Sequence, residues 1–597
     1  MTVKTHPRRS FLKTTGTVGL AAAGAALLPP LTIRSVAADT GIPLWPARVP
    51  TAPRSGALPP LSLRVFHKLA FGPRPDNPAN PSGLSDIEYF QSLGSTDAQR
   101  LEAWLDEQIT GGSDPQVDSR TFSNPMFTTL GASLNTLWND WHRYEGGSSW
   151  QVRRRPFYET QLLTLTRMVH SRWQLREVLA DFWHNHFNVD GEEDVVRSTL
   201  VAYDRDVIRP HIFGNFREML EGVVKSAAMM YYLDNRQNST PNPNENYARE
   251  LLELHTLGAV ENYFGYIPPG DVPLNVDGQP QGYVEADVLE AARLLTGFGI
   301  ADGDDDAADT GDFLFRSDWH DFGQKTIVGL TVPGTGVTEL DTLLDHLCEH
   351  RGTAEFVSWK LAVRLIGDDF SASDPLIQQA ADVFQNNWQA PDQIEQVVRT
   401  LVLSGEFQSR WANKAKRPLE IIASSMRAAS ADFTFELDSV VNTEGSPFGY
   451  YYDIERSGQE PFAYEPPTGY PESRAIWQGT GPLVMSWRAV TAMLRYTDAT
   501  GGSQYVDVAG ITNAAGVTPT PNAITDFWLD RVLGSATTID AGKRAELVAF
   551  VEQTGQASGP DAALTINTGD TGQWSTYQAC VRGLVTLITM LPDVTVR

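Results

Sequence analysis

NENYARELLELHTLG, residues 244–258, is the stretch on which the reading of this chain turns. Turn formers precede it at Pro241-Asn242-Pro243, and Gly258 closes it in the manner of a helix C-cap. Between them lie about three turns of strong helix formers. At 3.6 residues per turn, Leu251, Leu252 and His255 share one apolar face. Asn246, Glu250 and Glu253 form a polar stripe, with Glu250 nearest its border. An imidazole on an apolar face needs a partner, because a buried polar group left unpaired costs about 1–3 kcal/mol.

The same period recurs upstream. Leu175, Val178, Leu179, Phe182 and His186 follow i, i+3, i+4, i+7 and i+11. His186 therefore falls on a buried stripe. His184, two residues away, falls near the flank that carries Glu177 and Asp181. Helical periods dominate the rest of the chain. The expected fold is mostly α: a multi-helix globular bundle with a small β-hairpin over residues 313–329 and long Pro/Gly-rich loops such as 261–282.

With 597 residues, 41% hydrophobic and 10% aromatic, the chain can bury a large core. Residues 1–38 read as a targeting segment. Arg8-Arg9-Ser10-Phe11-Leu12-Lys13 resembles the twin-arginine export motif, a Gly/Ala-rich apolar run follows, and Val36-Ala37-Ala38 offers small residues for cleavage. The apolar run is short for a membrane span, and no later stretch is long enough for one. Net charge is -26, and the leader holds five basic residues and no acid, so the mature chain is more acidic still. That balance argues against nucleic acid as a partner. Residues 39–60 read as a Pro-rich extended arm and 61–597 as the helical domain, with a division into lobes 61–330 and 331–597 left open. Cys348 and Cys580 are too few for a disulfide framework and read as buried small hydrophobes.

Several peptides carry a resemblance. They are Leu61–Gly72, Asp181-Phe182-Trp183-His184-Asn185-His186-Phe187, the 244–258 stretch, His320-Asp321 with Gly323 and Lys325-Thr326, and the proline loop from Gly458-Gln459 to Gly469-Tyr470-Pro471. Together they resemble the DUF1800 family, exported bacterial proteins of unknown function. The resemblance implies a periplasmic or secreted location through the twin-arginine route. It also suggests a partner, because members are often encoded beside DUF1501 proteins, which resemble sulfatases and phosphatases.

The residues themselves suggest two functions. The first is a metal-dependent extracytoplasmic hydrolase. In it a divalent transition metal is held by His184, His186, Glu250 and His255, with Glu250, His320 and Asp321 as candidate catalytic groups. Helical bundles build such sites from Glu and His on facing helices. The second is a non-catalytic scaffold that binds a DUF1501-type hydrolase or a cell-surface polymer. No G-x-S-x-G, P-loop or H-E-x-x-H motif is present, and a triad assembled from distant residues stays open. The two central helices are expected to pack with His186 and His255 within about 10 Å, the reach of two rings and one bridging group, and with a carboxylate beside them.

Overall fold

A computed structural model describes residues 58–597, apart from 147–148, 305–306, 433, 435–453, 496–505, 536–538 and 567–575. The leader and residues 39–57 of the arm lie outside the described residues. The described residues pack as one unit.

The fold is mostly helical, as the periodicity requires. The elements that build the centre are α1 (Leu61–Lys68), α2 (Ser149–His170), α3 (Gln174–His186), α4 (Val196–Ala202), α5 (Asn246–Glu250), α6 (Glu285–Leu294), α7 (Thr338–Glu349), α8 (Arg351–Leu365) and α9 (Pro418–Ala428). The apolar stripe read from α3 is the buried one: Leu175, Val178 and Leu179 are fully enclosed. The end of α2 is tied to α3 through the side chain of Gln174. Its Nε2 donates to the Ser171 carbonyl and its Oε1 accepts from the Phe71 amide.

The 244–258 stretch differs from the expected regular helix. α5 is followed by a π-helical turn, Leu251–His255, closed by the Leu257 amide donating to the Leu252 carbonyl at 3.0 Å. The wider turn lets Leu251, Leu252, Leu254 and His255 all face inward. The stretch ends at Gly258 for two reasons. Its φ is +81°, and a Cβ there would stand 2.7 Å from the Phe356 ring.

The strands also pair differently from the expected single hairpin. β1 (Phe298–Asp302) pairs antiparallel with β2 (Asp309–Phe315), and β3 (Lys325–Ile327) with β4 (Leu330–Val332). Each run near His320 finds its partner on the side away from that residue, so His320-Asp321 sits on the connection between two hairpins. Among the described residues no helix is long and apolar enough to cross a membrane. Both cysteines are buried thiols.

Candidate functional site

The last turn of α3 sends its two histidines to different places. On the flank side, the His184 Nε2 stands 2.9 Å from Asp204 Oδ1. Asp204 lies in a π-helical turn, Tyr203–Ile208, that follows α4, and it is 3% exposed. Arg209 bonds both Asp204 oxygens at 2.8 Å and also reaches Glu177 at 2.9 Å. Burial alone would raise the Asp204 carboxyl, but Arg209, His184 and Arg167 override it and hold it well below the carboxylate range. Asp204 is therefore a fixed anion that accepts a hydrogen bond from His184 Nε2–H. This sets the His184 tautomer and leaves Nδ1 as the acceptor.

That Nδ1 has no partner among the described residues, and the ring lines a small pocket with Asp181, Glu177, Phe462 and Tyr470. The free space is about 40 Å³, room for a few waters or one small group. One wall is the proline loop, which side-chain amides from α2 and the end of α3 hold by its backbone. Asn185 pairs with both polar groups of the Tyr470 backbone, donating to its carbonyl at 2.8 Å and accepting from its amide at 2.6 Å. Asn188 donates to the carbonyls of Tyr464 and Pro466, each at 2.9 Å. Gln161 donates to the Pro461 carbonyl at 2.8 Å. Gly469, at φ +69°, is forced by this contact, since a Cβ would stand 2.2 Å from the Asn185 carbonyl oxygen. Asn185, between the two histidines, is thus the tether that holds the loop over the pocket.

The family model described as a protein of unknown function (DUF1800) matches residues 64–596. The chain belongs to the DUF1800 family. No curated protein and no solved structure matches it. Two of the peptides that carry the DUF1800 resemblance, 181–187 and 458–471, meet at this one pocket.

On the other face of α3 of this DUF1800 chain, His186 and His255 lie with ring centroids 6.4 Å apart, inside the expected span. The group beside them is a lysine rather than the expected carboxylate. Lys360 on α8 donates to His186 Nδ1 at 2.9 Å, and His186 Nε2 donates to the His255 carbonyl at 3.1 Å. Burial, then Lys360, then His255 hold His186 well below its ordinary pKa. Burial and Lys360 bring His255 down to about 3, and burial brings Lys360 down to about 8. Both His255 ring nitrogens lack a hydrogen-bond partner among the described residues, and the ring packs against Phe187 and Tyr247.

Glu250 belongs to neither pocket face. It is half-buried beside Glu253 and near Arg249, and burial with Glu253 pushes its carboxyl up to about 8. A raised carboxyl favours the folded state while protonated, so its contribution is lost as pH rises. We expect Glu250→Gln to gain stability over wild type between pH 4.5 and about 8, with a constant gap above. Urea unfolding at several pH values measures this, and a gap independent of pH contradicts it.

The four residues read as metal ligands do not converge. His184 Nε2 is taken by Asp204, both His186 nitrogens are taken, and the Lys360 ammonium would repel a cation there. Among the described residues no three His, Cys, Asp or Glu side chains are grouped to hold an ion. The donor set does not fit a divalent transition metal.

His320 and Asp321 form a separate, load-spreading network away from the pocket lining. His320 Nδ1 faces the Thr296 carbonyl at 2.7 Å and Nε2 faces Glu339 at 3.0 Å. Lys325 binds the same Glu339 at 2.6 Å, and Arg293 holds Asp321 at 2.8 Å. With both nitrogens occupied, His320 joins the hairpin connection to α7. The sequence does not single out Asp204 and Arg209, because residues five apart in a regular α-helix do not face each other, and only the π-helical turn brings them together.

Proposed function

We propose that this chain is an exported hydrolase whose proton-transfer group is His184, oriented by Asp204 at the pocket between α3 and the 458–471 loop. The observation that carries the reading is the two-sided imidazole: one nitrogen bonded to a buried, arginine-held carboxylate and the other open to a pocket. A base with its orienting partner is the arrangement that activates a hydroxyl or a water. The twin-arginine leader supports a periplasmic or secreted location. Purified mature protein should hydrolyse at least one member of a chromogenic panel of esters, phosphoesters, sulfate esters and glycosides, and keep that activity in EDTA. Hydrolysis of none, or loss on chelation, overturns the reading. For export, the double substitution Arg8→Lys and Arg9→Lys should strand precursor in the cytoplasm, and normal secretion of that variant counts against the route.

A second reading is favoured by the loop after α5, where Tyr266 is 85%, Leu274 67% and Val276 89% exposed. Apolar side chains held out in water suit a contact surface. On this reading the chain is a scaffold for a DUF1501-type hydrolase or a cell-surface polymer, and stable co-elution with such a partner without intrinsic hydrolysis would support it.

A further inference from the structure

We propose that Thr164 is the nucleophile of this site and Gln459 its oxyanion donor, so that the substrate is an ester of a small neutral acyl group such as acetyl. The inference rests on the His184 reading and deepens it.

Threonines inside helices ordinarily turn the hydroxyl back to the carbonyl four residues earlier. In α2, Thr160 bonds the Pro156 carbonyl and Thr166 the Leu162 carbonyl, each at 2.7 Å. Thr164, between them, does not. Its Oγ1 is buried and has no hydrogen-bond partner among the described residues, and Thr164 belongs to the lining of the His184 pocket. Gln459 is 2% exposed and lines the same pocket. Its Oε1 is fixed by the Leu419 amide at 3.0 Å, which defines the amide orientation and leaves Nε2 without a partner among the described residues. Thr164, His184 and Gln459 thus line one pocket of about 40 Å³, and the Thr164 hydroxyl, the His184 Nδ1 and the Gln459 Nε2 have no partner among the described residues. These are the three parts that acyl transfer needs.

The charges select the acyl group. The charged groups of the lining are already paired: Arg209 with Asp204 and Glu177, and Asp181 with Arg364 and Arg417. A phosphoryl or sulfuryl group would find no spare cation among the described residues of the lining. A neutral ester needs none, and the free space of about 40 Å³ suits a group as small as acetyl.

The reaction balances with groups on the page. The Thr164 hydroxyl passes its proton to His184 Nδ1 as Oγ1 bonds the acyl carbon, and the carbonyl oxygen takes its negative charge toward Gln459 Nε2–H. The bond to the leaving oxygen breaks, and the alkoxide takes the proton from His184. Water then gives a proton to Nδ1 and its oxygen to the acyl carbon. Thr164 departs with its proton restored, and the products are an alcohol and a carboxylic acid. Asp204 stabilises the imidazolium in both halves.

The test uses the mature protein with p-nitrophenyl acetate and p-nitrophenyl octanoate. Wild type should turn over the acetate at least tenfold faster, and acid quenching should trap one acetyl group on the peptide containing Thr164. Thr164→Val, which keeps the shape, should lose about 10³-fold or more in kcat. Thr164→Ser should keep activity and the adduct. Gln459→Glu keeps the acceptor for the Leu419 amide but removes the donor, and should lower kcat about 10²-fold or more. If Thr164→Val is active and unlabelled while His184→Gln is dead, the nucleophile is wrong and the His184 site stands. If His184→Gln is active as well, both fall. A preference for octanoate overturns the substrate class.

Discussion

Replacing Glu420 by Gln should lower the unfolding free energy by about 3–5 kcal/mol, the cost of leaving buried cations without their anion. Glu420, at the start of α9, is 4% exposed and faces three arginines. Arg364 of α8 bonds it, Arg597 stands at 3.0 Å and Arg417 at 3.7 Å, while the Arg417 amide donates to it at 2.8 Å. Arg364 and Arg417 both also grip Asp181 of α3, which lines the pocket. The network therefore ties α3, α8 and α9 together beneath the site. Burial pushes the Glu420 carboxyl up, yet Arg597, Arg364 and Arg417 overcome this and hold it well below the ordinary value. A depressed carboxyl contributes stability above its unfolded pKa of about 4.3 and loses it as pH falls toward its folded value. The gap between wild type and variant should be full at pH 7 and begin to close only below about pH 4.3. Urea titrations at neutral and acid pH read both features, and an unchanged unfolding free energy at pH 7 would mean the network contributes nothing net.

The second large effect is catalytic. Removing the imidazole with His184→Gln should lower hydrolysis about 10²- to 10⁴-fold, the usual weight of a positioned general base. Gln can still donate an amide hydrogen to Asp204, so the Arg209-Asp204-Glu177 network keeps an N–H partner on that side. The folded protein should survive while proton transfer fails. A stability loss without an activity loss per folded molecule would make His184 a core histidine.

The phase of α3 was readable because side-chain direction in a regular helix follows from spacing alone. It put His186 inward and His184 with Glu177 and Asp181, which is where they lie. The partners were not readable, because they come from elsewhere in the chain. Asp204 reaches His184 from a widened turn twenty residues on, and Lys360 reaches His186 from α8. In α5 the strong helix formers gave no sign of the π turn. That widening follows from packing four side chains against the core at once, a tertiary demand on a local sequence. Glu250 was placed at the border of its stripe, but its neighbour is Glu253 rather than an imidazole. The histidine-asparagine-histidine order looked like a metal grip. In the fold its three side chains go three ways: His184 to Asp204, Asn185 to the proline loop and His186 to Lys360.

Measuring kcat/KM for His184→Gln and His186→Gln side by side, each normalised to folded protein, is the most direct test of the central claim. A collapse in His184→Gln, with His186→Gln near wild type, is the result predicted here. The reverse pattern, with activity lost in His186→Gln and kept in His184→Gln, would contradict it and return the site to the His186–His255 face.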